Sequence, residues 1–181
     1  MIEGRKVVLR EKRLSDAEND YAWRCDRELA RLDAAPPSRL SFSEFRMSYA
    51  EELRHPSRRR CRLAIDTLDG KHIGNCMYYD IDERKQEAEI GIMIGNRDYW
   101  DQGYGTDAIT ALVRHIFEEV GLERVYLNTL SWNLRAQRCF EKCGFAPYRH
   151  LSRGGDNFVA MELRRSWLSS SPPSVPPEAP D

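Results

Sequence analysis

The stretch YWDQGYGTDAI, residues 99–109, contains the pattern that says most about the fold of this chain. Gly103, Gly105 and Ala108 spell G-x-G-x-x-A, one accepted form of the fingerprint by which a strand–loop–helix unit binds dinucleotides. A single match to so short a pattern is weak, because many glycine-containing turns bind nothing. The residues on either side must therefore decide whether this loop holds a phosphate.

A dinucleotide-binding unit requires a strand that runs directly into the glycines and an acidic residue about 20 positions further on. Here NRDYWDQ (residues 96–102) separates the preceding strand from Gly103, and the next strand ends LNTLS without a carboxylate. No Gly-Lys-Ser/Thr follows, so a P-loop is excluded too. Residues 102–106 still open an amphipathic helix, whose free backbone N–H groups and positive dipole end attract anions. The stretch alone leaves open whether it binds phosphate or only forms a cap and turn.

Composition restricts the class of protein. The 181 residues suit one domain with a sizeable core. Lys plus Arg is 28 and Asp plus Glu is 29, so the net charge of −1 does not favour nucleic acid or a membrane surface. No run of about 18 apolar residues predicts a membrane span. The five cysteines include no C-x-x-C pair, which argues against disulfides and a metal site, and we expect a cytoplasmic protein.

Periodicity predicts a single domain in which strands and helices are mixed. The predicted elements, in chain order, are a strand at residues 6–10, helices at 15–32 and 41–55, strands at 61–67, 72–82 and 87–95, a helix from the glycine loop to 121, a strand at 124–130, a helix at 133–143, and strands at 145–152 and 157–165. This order predicts an α/β (α+β) domain over residues 1–168 with a mixed sheet. The Pro- and Ser-rich residues 169–181 are predicted to be disordered.

Three segments, in the same order, resemble the GCN5-related N-acetyltransferase (GNAT) superfamily, and in particular its ribosomal-protein-alanine and spermidine acetyltransferase branch. EIGIMIG (residues 89–95) resembles the splayed central strand, and YWDQGYGTDAI resembles the pyrophosphate loop, Gln/Arg-x-x-Gly-x-Gly/Ala. NLRAQRCFEKCGF (residues 133–145) resembles the helix Asn-x-x-Ala-x-x-x-Tyr-x-x-x-Gly-Phe. The resemblance implies one GNAT-like domain, with a mostly antiparallel sheet of about six to seven strands flanked by about four helices.

The resemblance also implies a reaction, in which a primary amine attacks the thioester of acetyl-CoA directly and no metal takes part. It implies that residues 101–106 cradle the pyrophosphate and that the backbone of residues 92–94 pairs with the pantetheine amides, with an N–H there stabilising the oxyanion. Asn133 would hydrogen-bond the pantetheine arm, and Phe140 would pack against it. The cofactor-binding residues so implied are Ile92, Met93, Ile94, Asp101, Gln102, Gly103, Tyr104, Gly105, Thr106, Asn133 and Phe140.

Two positions depart from the family pattern. Trp100 stands where the loop has Gln or Arg, so the grip on pyrophosphate would come mainly from backbone N–H groups. Phe140 stands where many members carry a Tyr that protonates the departing thiolate, and that role cannot be carried over. A non-catalytic acyl-CoA-binding or regulatory module is therefore the alternative function. A nucleotide-binding oxidoreductase is a third, weakened by the missing ribose carboxylate.

Glu89 is the candidate general base. At pH 7 roughly one alkyl amine molecule in a thousand is neutral, so the attacking amine must lose a proton. Glu89 shares a face of the central strand with Gly91 and Met93, where partial burial is expected. An ordinary strand Glu paired with a Lys or Arg is the competing interpretation, and Glu87 and Asp80 are second choices for the base.

The leaving thiol has a pKa near 8.5, so a thiolate departs tolerably well at neutral pH. Water, Cys139 or Ser131 are weakly supported proton donors for it. The acceptor is expected between the early helices, residues 24–58, and the loop SRGGDN, residues 152–157. The charges there do not choose between a small-molecule amine and a protein N-terminus, and a homodimer is possible.

Overall fold

An eight-stranded sheet forms the centre of the fold in this computed structural model, which describes residues 1–169. Its strand order is β1-β2-β3-β4-β5-β6-β8-β7. Neighbouring strands are antiparallel, except that β5 and β6 are parallel. The strands are β1 (Ile2–Glu3), β2 (Val7–Glu11), β3 (Arg60–Thr67), β4 (His72–Asp82), β5 (Glu87–Ile94), β6 (Arg124–Leu130), β7 (Ala146–Arg153) and β8 (Asp156–Arg164).

Five α-helices accompany the sheet in the described part of the chain. They are α1 (Ala17–Cys25), α2 (Arg27–Leu32), α3 (Phe42–Arg54), α4 (Tyr104–His115) and α5 (Leu134–Lys142). A turn of π-helix, Ile116–Val120, extends α4 to Gly121, whose φ of +81° ends the helix as the sequence predicts. The predicted tail at residues 169–181 lies outside the described residues, apart from Ser169.

The predicted mixed, mostly antiparallel sheet is confirmed, with one strand and one helix more than expected. The extra strand, β1, has two residues, too few to show an alternating pattern. The extra helix arises because the helix predicted over residues 15–32 divides at Asp26, where ψ is 123°. The Asp26 carboxylate accepts hydrogen bonds from the backbone N–H groups of Glu28 and Leu29, both at 3.0 Å. Asp26 therefore caps α2 instead of continuing α1.

The core lies between α4 and the sheet. The apolar stripe that predicts α4 is buried, and Ile109, Leu112 and Ile116 have no exposed surface. Contacts with β1, β2, β4 and β5 hold α4 across the sheet. This packing fixes the N-terminus of α4, and so the glycine loop, against the end of β5.

A buried ion cluster joins β2 and β3 to the turn before α1. The Arg10 guanidinium contacts both oxygens of Asp16 at 2.8 Å and Oδ2 of Asp66 at 2.5 Å. Burial opposes ionisation of Asp16, but hydrogen bonds from Arg10 and the Arg13 backbone outweigh it and hold its pKa below the usual value. The cluster lies outside the cavity described below.

Candidate active site

The parallel strands β5 and β6 separate to form a fork. They pair over three positions, residues 87–89 opposite residues 124–126. Beyond Glu89 and Tyr126 the two strands diverge, and a cavity of about 780 Å³ is lined by residues 89–94 of β5 and 127–130 of β6. Divergence leaves strand edges without a neighbouring strand, so backbone N–H and C=O groups there are available to an extended ligand.

The N-terminus of α4 meets one end of this cavity. Gly103, the residue before the helix, has φ of +83°, a conformation that glycine adopts without strain. Gly103, Gly105 and Thr106 all line the cavity. The first N–H groups of a helix have no intrahelical acceptor, so they form an anion-binding position with the positive end of the helix dipole.

Asp107, in the first turn of α4, does not occupy that anion position. Its carboxylate accepts hydrogen bonds from the backbone N–H groups of residues 5–7, at 3.0, 2.7 and 3.1 Å. The negative charge is thus used to attach the chain before β2 to the helix.

Two residues of the predicted pyrophosphate loop have side chains engaged elsewhere. The Gln102 side-chain amide donates to the backbone carbonyl of Asp98, and the Gln102 backbone carbonyl accepts from Lys6 Nζ at 2.8 Å. The Tyr104 ring packs edge-on against Tyr99, with centroids 5.0 Å apart. Neither Gln102 nor Tyr104 lines the cavity formed by the described residues.

Trp100, the departure from the loop pattern, ties the loop to the end of β5. Its indole N–H donates to the carbonyl of Ile94 at 2.6 Å. The Arg135 guanidinium of α5 lies 3.7 Å from the centre of the Trp100 ring, a cation–π contact. Trp100 therefore contacts all three segments that the resemblance brings together: strand, loop and helix.

Asn133 and Phe140, predicted from the second motif, both line the cavity. Asn133 caps α5, because its Oδ1 accepts from the Ala136 N–H at 3.2 Å. Phe140 is 6% exposed and packs edge-on against Phe145, with centroids 5.7 Å apart. Phe140 therefore packs in the hydrophobic core and also forms part of the cavity wall.

A group of cations on α5 was missed by the sequence reasoning. Arg135, Arg138 and Lys142 line the cavity and are exposed. Their spacing of three and four residues places them on one helix face, and this was the signal available in the sequence. An anionic ligand in the cavity would meet these cations as well as the α4 N-terminus.

Glu89 lies at the point of the fork. Its Oε1 accepts from Asn128 Nδ2 of β6 at 3.0 Å. Tyr79 of β4 is opposite Glu89 in the strand register, and both line the cavity. Burial raises the pKa of Tyr79, and the neighbouring Glu89 charge adds to the effect, so Tyr79 stays protonated at neutral pH. Tyr79 and Asn128 are further site residues that the sequence reasoning did not identify.

The second-choice bases lie outside this arrangement. Glu87 is paired with Arg124, with an N–O distance of 2.6 Å, and with Lys85 at 3.7 Å. Asp80 is exposed at φ of +51°. Neither lines the cavity among the described residues. Of the three carboxylates considered, Glu89 alone is part of the cavity.

Of the suggested proton donors, Cys139 lines the cavity and Ser131 does not. The Cys139 sulfur lies 3.4 Å from the Thr106 hydroxyl oxygen, and the Cys143 thiol donates to the Thr106 carbonyl at 3.5 Å. A role of Cys139 as proton donor stays a prediction.

The predicted acceptor region is brought to the cavity only in part. The lining includes Leu29, Leu32, Asp33 and Ala34 from α2 and the turn after it, together with Arg153 and Phe158 from the β7–β8 hairpin. Helix α3, although included in the prediction, does not line it. Asp33 is paired with Arg24 at 3.1 Å, so this carboxylate is partly neutralised.

Comparison with known families decides among the sequence interpretations. Residues 6–146 match the family described as the acetyltransferase (GNAT) domain. The chain belongs to this GNAT acetyltransferase family. The resemblance noted in three short segments is therefore confirmed over most of the chain.

Two curated relatives of this GNAT protein are named as polyamine acetyltransferases, and two others are named only as N-acetyltransferases. A probable spermine N(1)-acetyltransferase from Bacillus subtilis subsp. natto (strain BEST195) is 26% identical over 100 residues, which is 52% of this chain and 66% of that protein. The spermine/spermidine N(1)-acetyltransferase of Bacillus subtilis (strain 168) gives the same identity and coverage. The match thus spans just under two thirds of the length of these relatives.

Solved structures share the fold over nearly the whole chain. The spermidine N-acetyltransferase from Vibrio cholerae, in complex with CoA and spermine, superimposes with a TM-score of 0.81 at 20% identity, covering 91% of this chain and 99% of that one. The aminoglycoside acetyltransferase AAC(6')-Ib, in complex with coenzyme A, gives 0.73 at 23% identity, covering 90% and 97%. At these identities the likeness establishes the GNAT fold.

Neither a metal-binding cluster nor a membrane-spanning helix is found among the described residues. Within residues 1–169, no three His, Cys, Asp or Glu side chains are grouped so as to hold a metal ion. In the same part of the chain, no helix combines the length and apolar character needed to cross a bilayer.

Proposed function

We propose that this GNAT protein transfers the acetyl group of acetyl-CoA to a primary amine by direct attack on the thioester. The observation that supports this best is one continuous cavity with the open strand edge of β5, the N-terminus of α4 and the carboxylate of Glu89 in its lining. Those three features supply an extended binding edge, an anion site and a proton acceptor, which are the needs of the reaction.

The cavity has the chemistry to hold coenzyme A. The N–H groups at residues 103–106 and the cations of α5 would attract its phosphates, and residues 92–94 would pair with its extended amide-bearing arm. The Trp100 hydrogen bond to the Ile94 carbonyl leaves that oxygen one lone pair for such pairing. Gln102 and Tyr104 would contribute their backbones only. Asp101, at φ of +56°, would shape the loop.

Glu89 would take the proton from the amine nitrogen, directly or through a water molecule. As the nitrogen–carbon bond forms, the carbon–sulfur bond breaks and the CoA thiolate leaves. The hydrogen bond from Asn128 holds the Glu89 carboxylate at the fork, at the end of the strand edge to which the pantetheine would bind. Backbone N–H groups of β5 beyond Glu89 would stabilise the oxyanion.

Phe140 leaves the departing thiolate without the tyrosine that many family members use. A leaving thiol with a pKa near 8.5 departs as thiolate at neutral pH, and solvent can protonate it afterwards. Phe140 would instead pack against the pantetheine arm, since it forms part of the cavity wall.

The acceptor would be a small-molecule primary amine. The names of two relatives point to a polyamine, and Glu89 in the cavity lining would attract a cation, whereas Asp33 would contribute less because Arg24 pairs with it. Arg153 in the same lining would oppose a long polycation, so a protein N-terminus stays the competing acceptor. A homodimer and a cytoplasmic location also stay predictions; the five free cysteines agree with a reducing compartment.

The test is release of free thiol from acetyl-CoA in the presence of spermine, a monoamine, an aminoglycoside and a short peptide. We expect turnover with at least one of them, above the rate without protein. Tight CoA binding without turnover across the panel would favour the non-catalytic module. Binding of NAD without binding of CoA would contradict both functions.

A further inference from the structure

Gly91 lies in the interior of strand β5, a position where glycine weakens a strand. Glycine packs no side chain there and loses more backbone freedom on folding than any other residue. A glycine inside a strand often marks a bulge, a sharp bend or the close approach of another group. Gly91 pairs with Met77 of β4 without a shift in register, and its φ is not positive. Neither a bulge nor a left-handed backbone therefore requires this glycine.

Packing does not require glycine at residue 91 either. A Cβ placed on Gly91 would lie 3.6 Å from Met77 Cγ and 3.8 Å from Tyr79 Cε1, which are ordinary van der Waals distances. By contrast, a Cβ on Gly95, just after the same strand, would lie 2.1 Å from the Trp23 ring. Packing thus fixes Gly95 as glycine, whereas position 91 would accept alanine without displacing a neighbour.

Gly91 lies beside the proposed general base. Side chains alternate along a strand, so Gly91 and Glu89 share one face of β5, and both line the cavity. On that face the register places Tyr79 of β4 and Tyr126 of β6 on either side of Glu89. Along β5 the side chain of Glu87 occupies the next position in one direction, and Gly91 the next in the other. A ligand can therefore come closest to Glu89 over Gly91.

We propose that the acceptor amine reaches Glu89 across the backbone of Gly91, and that this path selects amines carried on an unbranched carbon. The inference rests on the proposed function and narrows the acceptor of the same site. Tyr79 on the β4 side and Asn128 on the β6 side line the cavity together with Gly91, so the path is about as wide as the side chain that is missing. A chain of methylenes fits there, with Met93 of the same face as an apolar contact.

A second substituent on the carbon that bears the nitrogen would widen the acceptor beyond this path. The terminal amine of a linear alkylamine or polyamine therefore fits. The nitrogen of a protein N-terminus or of an amino sugar is carried on a branched carbon and does not fit.

The geometry separates the amine from the cofactor. The pantetheine arm would lie in the plane of the sheet, where it pairs with the edge of β5, whereas a side chain at residue 91 projects from the face. A methyl group added there should therefore hinder the amine and spare coenzyme A. If the glycine instead allowed close approach of the pantetheine, the same methyl group would weaken CoA binding.

The experiment compares Gly91→Ala with the wild type and with Met77→Leu. Met77 contacts the position of the new methyl group but does not line the cavity among the described residues, so its replacement controls for altered packing. Free-thiol release from acetyl-CoA is measured with n-butylamine and sec-butylamine, isomers that differ in the branch at the carbon bearing the nitrogen. Calorimetry gives the affinity for CoA and the affinity of the CoA-saturated protein for each amine, and the melting temperature reports on the fold.

The wild type should use n-butylamine better than sec-butylamine by at least about 10-fold in kcat/KM, and Gly91→Ala should lose about 10–200-fold in kcat/KM and in affinity for n-butylamine, the range for one carbon in a binding pocket. The CoA affinity of Gly91→Ala should equal that of the wild type. Its melting temperature should be equal or higher, because alanine is favoured over glycine inside a strand. Met77→Leu should match the wild type in every measurement.

A loss of CoA affinity in Gly91→Ala would show that the glycine serves the cofactor, and a lower melting temperature would show that it serves packing. Either result would overturn the proposal, as would unchanged amine affinity or equal use of the two butylamines by the wild type. A wild-type protein that binds CoA and the amine but releases no thiol would instead contradict the proposed function. The amine affinity of Gly91→Ala would then still decide whether the path runs over Gly91.

Discussion

Replacing Glu89 by Gln removes the proposed proton acceptor and little else. Gln has nearly the same shape, and its Oε1 can still accept the hydrogen bond that Asn128 Nδ2 donates to Glu89 at 3.0 Å. The hydroxyl of Tyr79, opposite in the strand register, can pair with the new amide. The fold and the affinity for CoA should therefore be unchanged, because neither the loop nor α5 is altered.

The expected loss of rate in Glu89→Gln follows from the role of Glu89 as general base. A positioned general base contributes about 10²–10⁴-fold to a rate, so kcat at pH 7 should fall by at least about 100-fold, or ~2.7 kcal/mol in activation free energy. The neutral fraction of an alkyl amine rises about 100-fold between pH 7 and pH 9. Since a neutral amine needs no base before it attacks, the deficit of Glu89→Gln should shrink across that range.

The assay is free-thiol release with saturating acetyl-CoA and the best amine of the panel, measured from pH 6 to 9. Glu87→Gln is the matched control, because Glu87 lies on the same strand, two residues away, and is paired with Arg124 outside the cavity. The control should keep the wild-type pH dependence. Melting temperatures of both variants establish that the fold is retained.

A Glu89→Gln variant that turns over at the wild-type rate at pH 7 would refute the assignment of the base. A rate deficit of Glu89→Gln that stays constant up to pH 9 would also exclude Glu89 as the proton acceptor. It would indicate that Glu89 binds the amine rather than accepting its proton.

Three other outcomes are expected. Gly105→Val should abolish CoA binding by calorimetry without changing the melting temperature, since the side chain would enter the phosphate position; unchanged affinity would exclude the loop. Phe140→Tyr should fold normally and keep activity, with turnover at low pH equal to or above wild type, and an unfolded variant would show that the site tolerates no hydroxyl. Asp16→Asn should lower the free energy of unfolding at pH 7 by about 1–3 kcal/mol, because Arg10 loses one of its two charged partners and keeps Asp66. The pKa of Asp16 is lower in the folded chain than in the unfolded chain. The ionised Asp16 therefore stabilises the fold above the unfolded pKa of about 3.9, and this stabilisation is lost as the pH falls through the folded pKa. In a denaturation series from pH 7 to 2, the free energy of unfolding should fall less for Asp16→Asn than for the wild type.

Local chemistry made much of the fold predictable. The strands His72–Asp82 and Arg124–Leu130 were predicted to the residue, because turn-forming residues and alternating apolar residues set both ends. The break between α1 and α2 at Asp26 was not predicted, because Asp suits both an exposed helix position and a helix cap. Only the backbone shows that it accepts from Glu28 and Leu29 here.

Features of the site that depend on neighbouring residues in the sequence were predictable, whereas contacts between distant residues were not. Gly103 was correctly expected at a helix start, since its left-handed conformation favours glycine. The contact of Glu89 with Asn128 joins residues 39 positions apart, across a fork whose register no short pattern encodes. Trp100 was identified as a departure, but its hydrogen bond to Ile94 depends on how the loop folds back on β5.

If the cavity between β5 and β6 acetylates an amine, the acetyl group can be followed from acetyl-CoA to the product. The most direct measurement is mass spectrometry of the amine after incubation with isotope-labelled acetyl-CoA and the wild-type protein, with CoA quantified in the same sample. We expect a labelled N-acetyl product that forms one-for-one with CoA and is lost in Glu89→Gln at pH 7. CoA that binds tightly without any acetylated amine would contradict it, as would hydrolysis of acetyl-CoA in place of transfer.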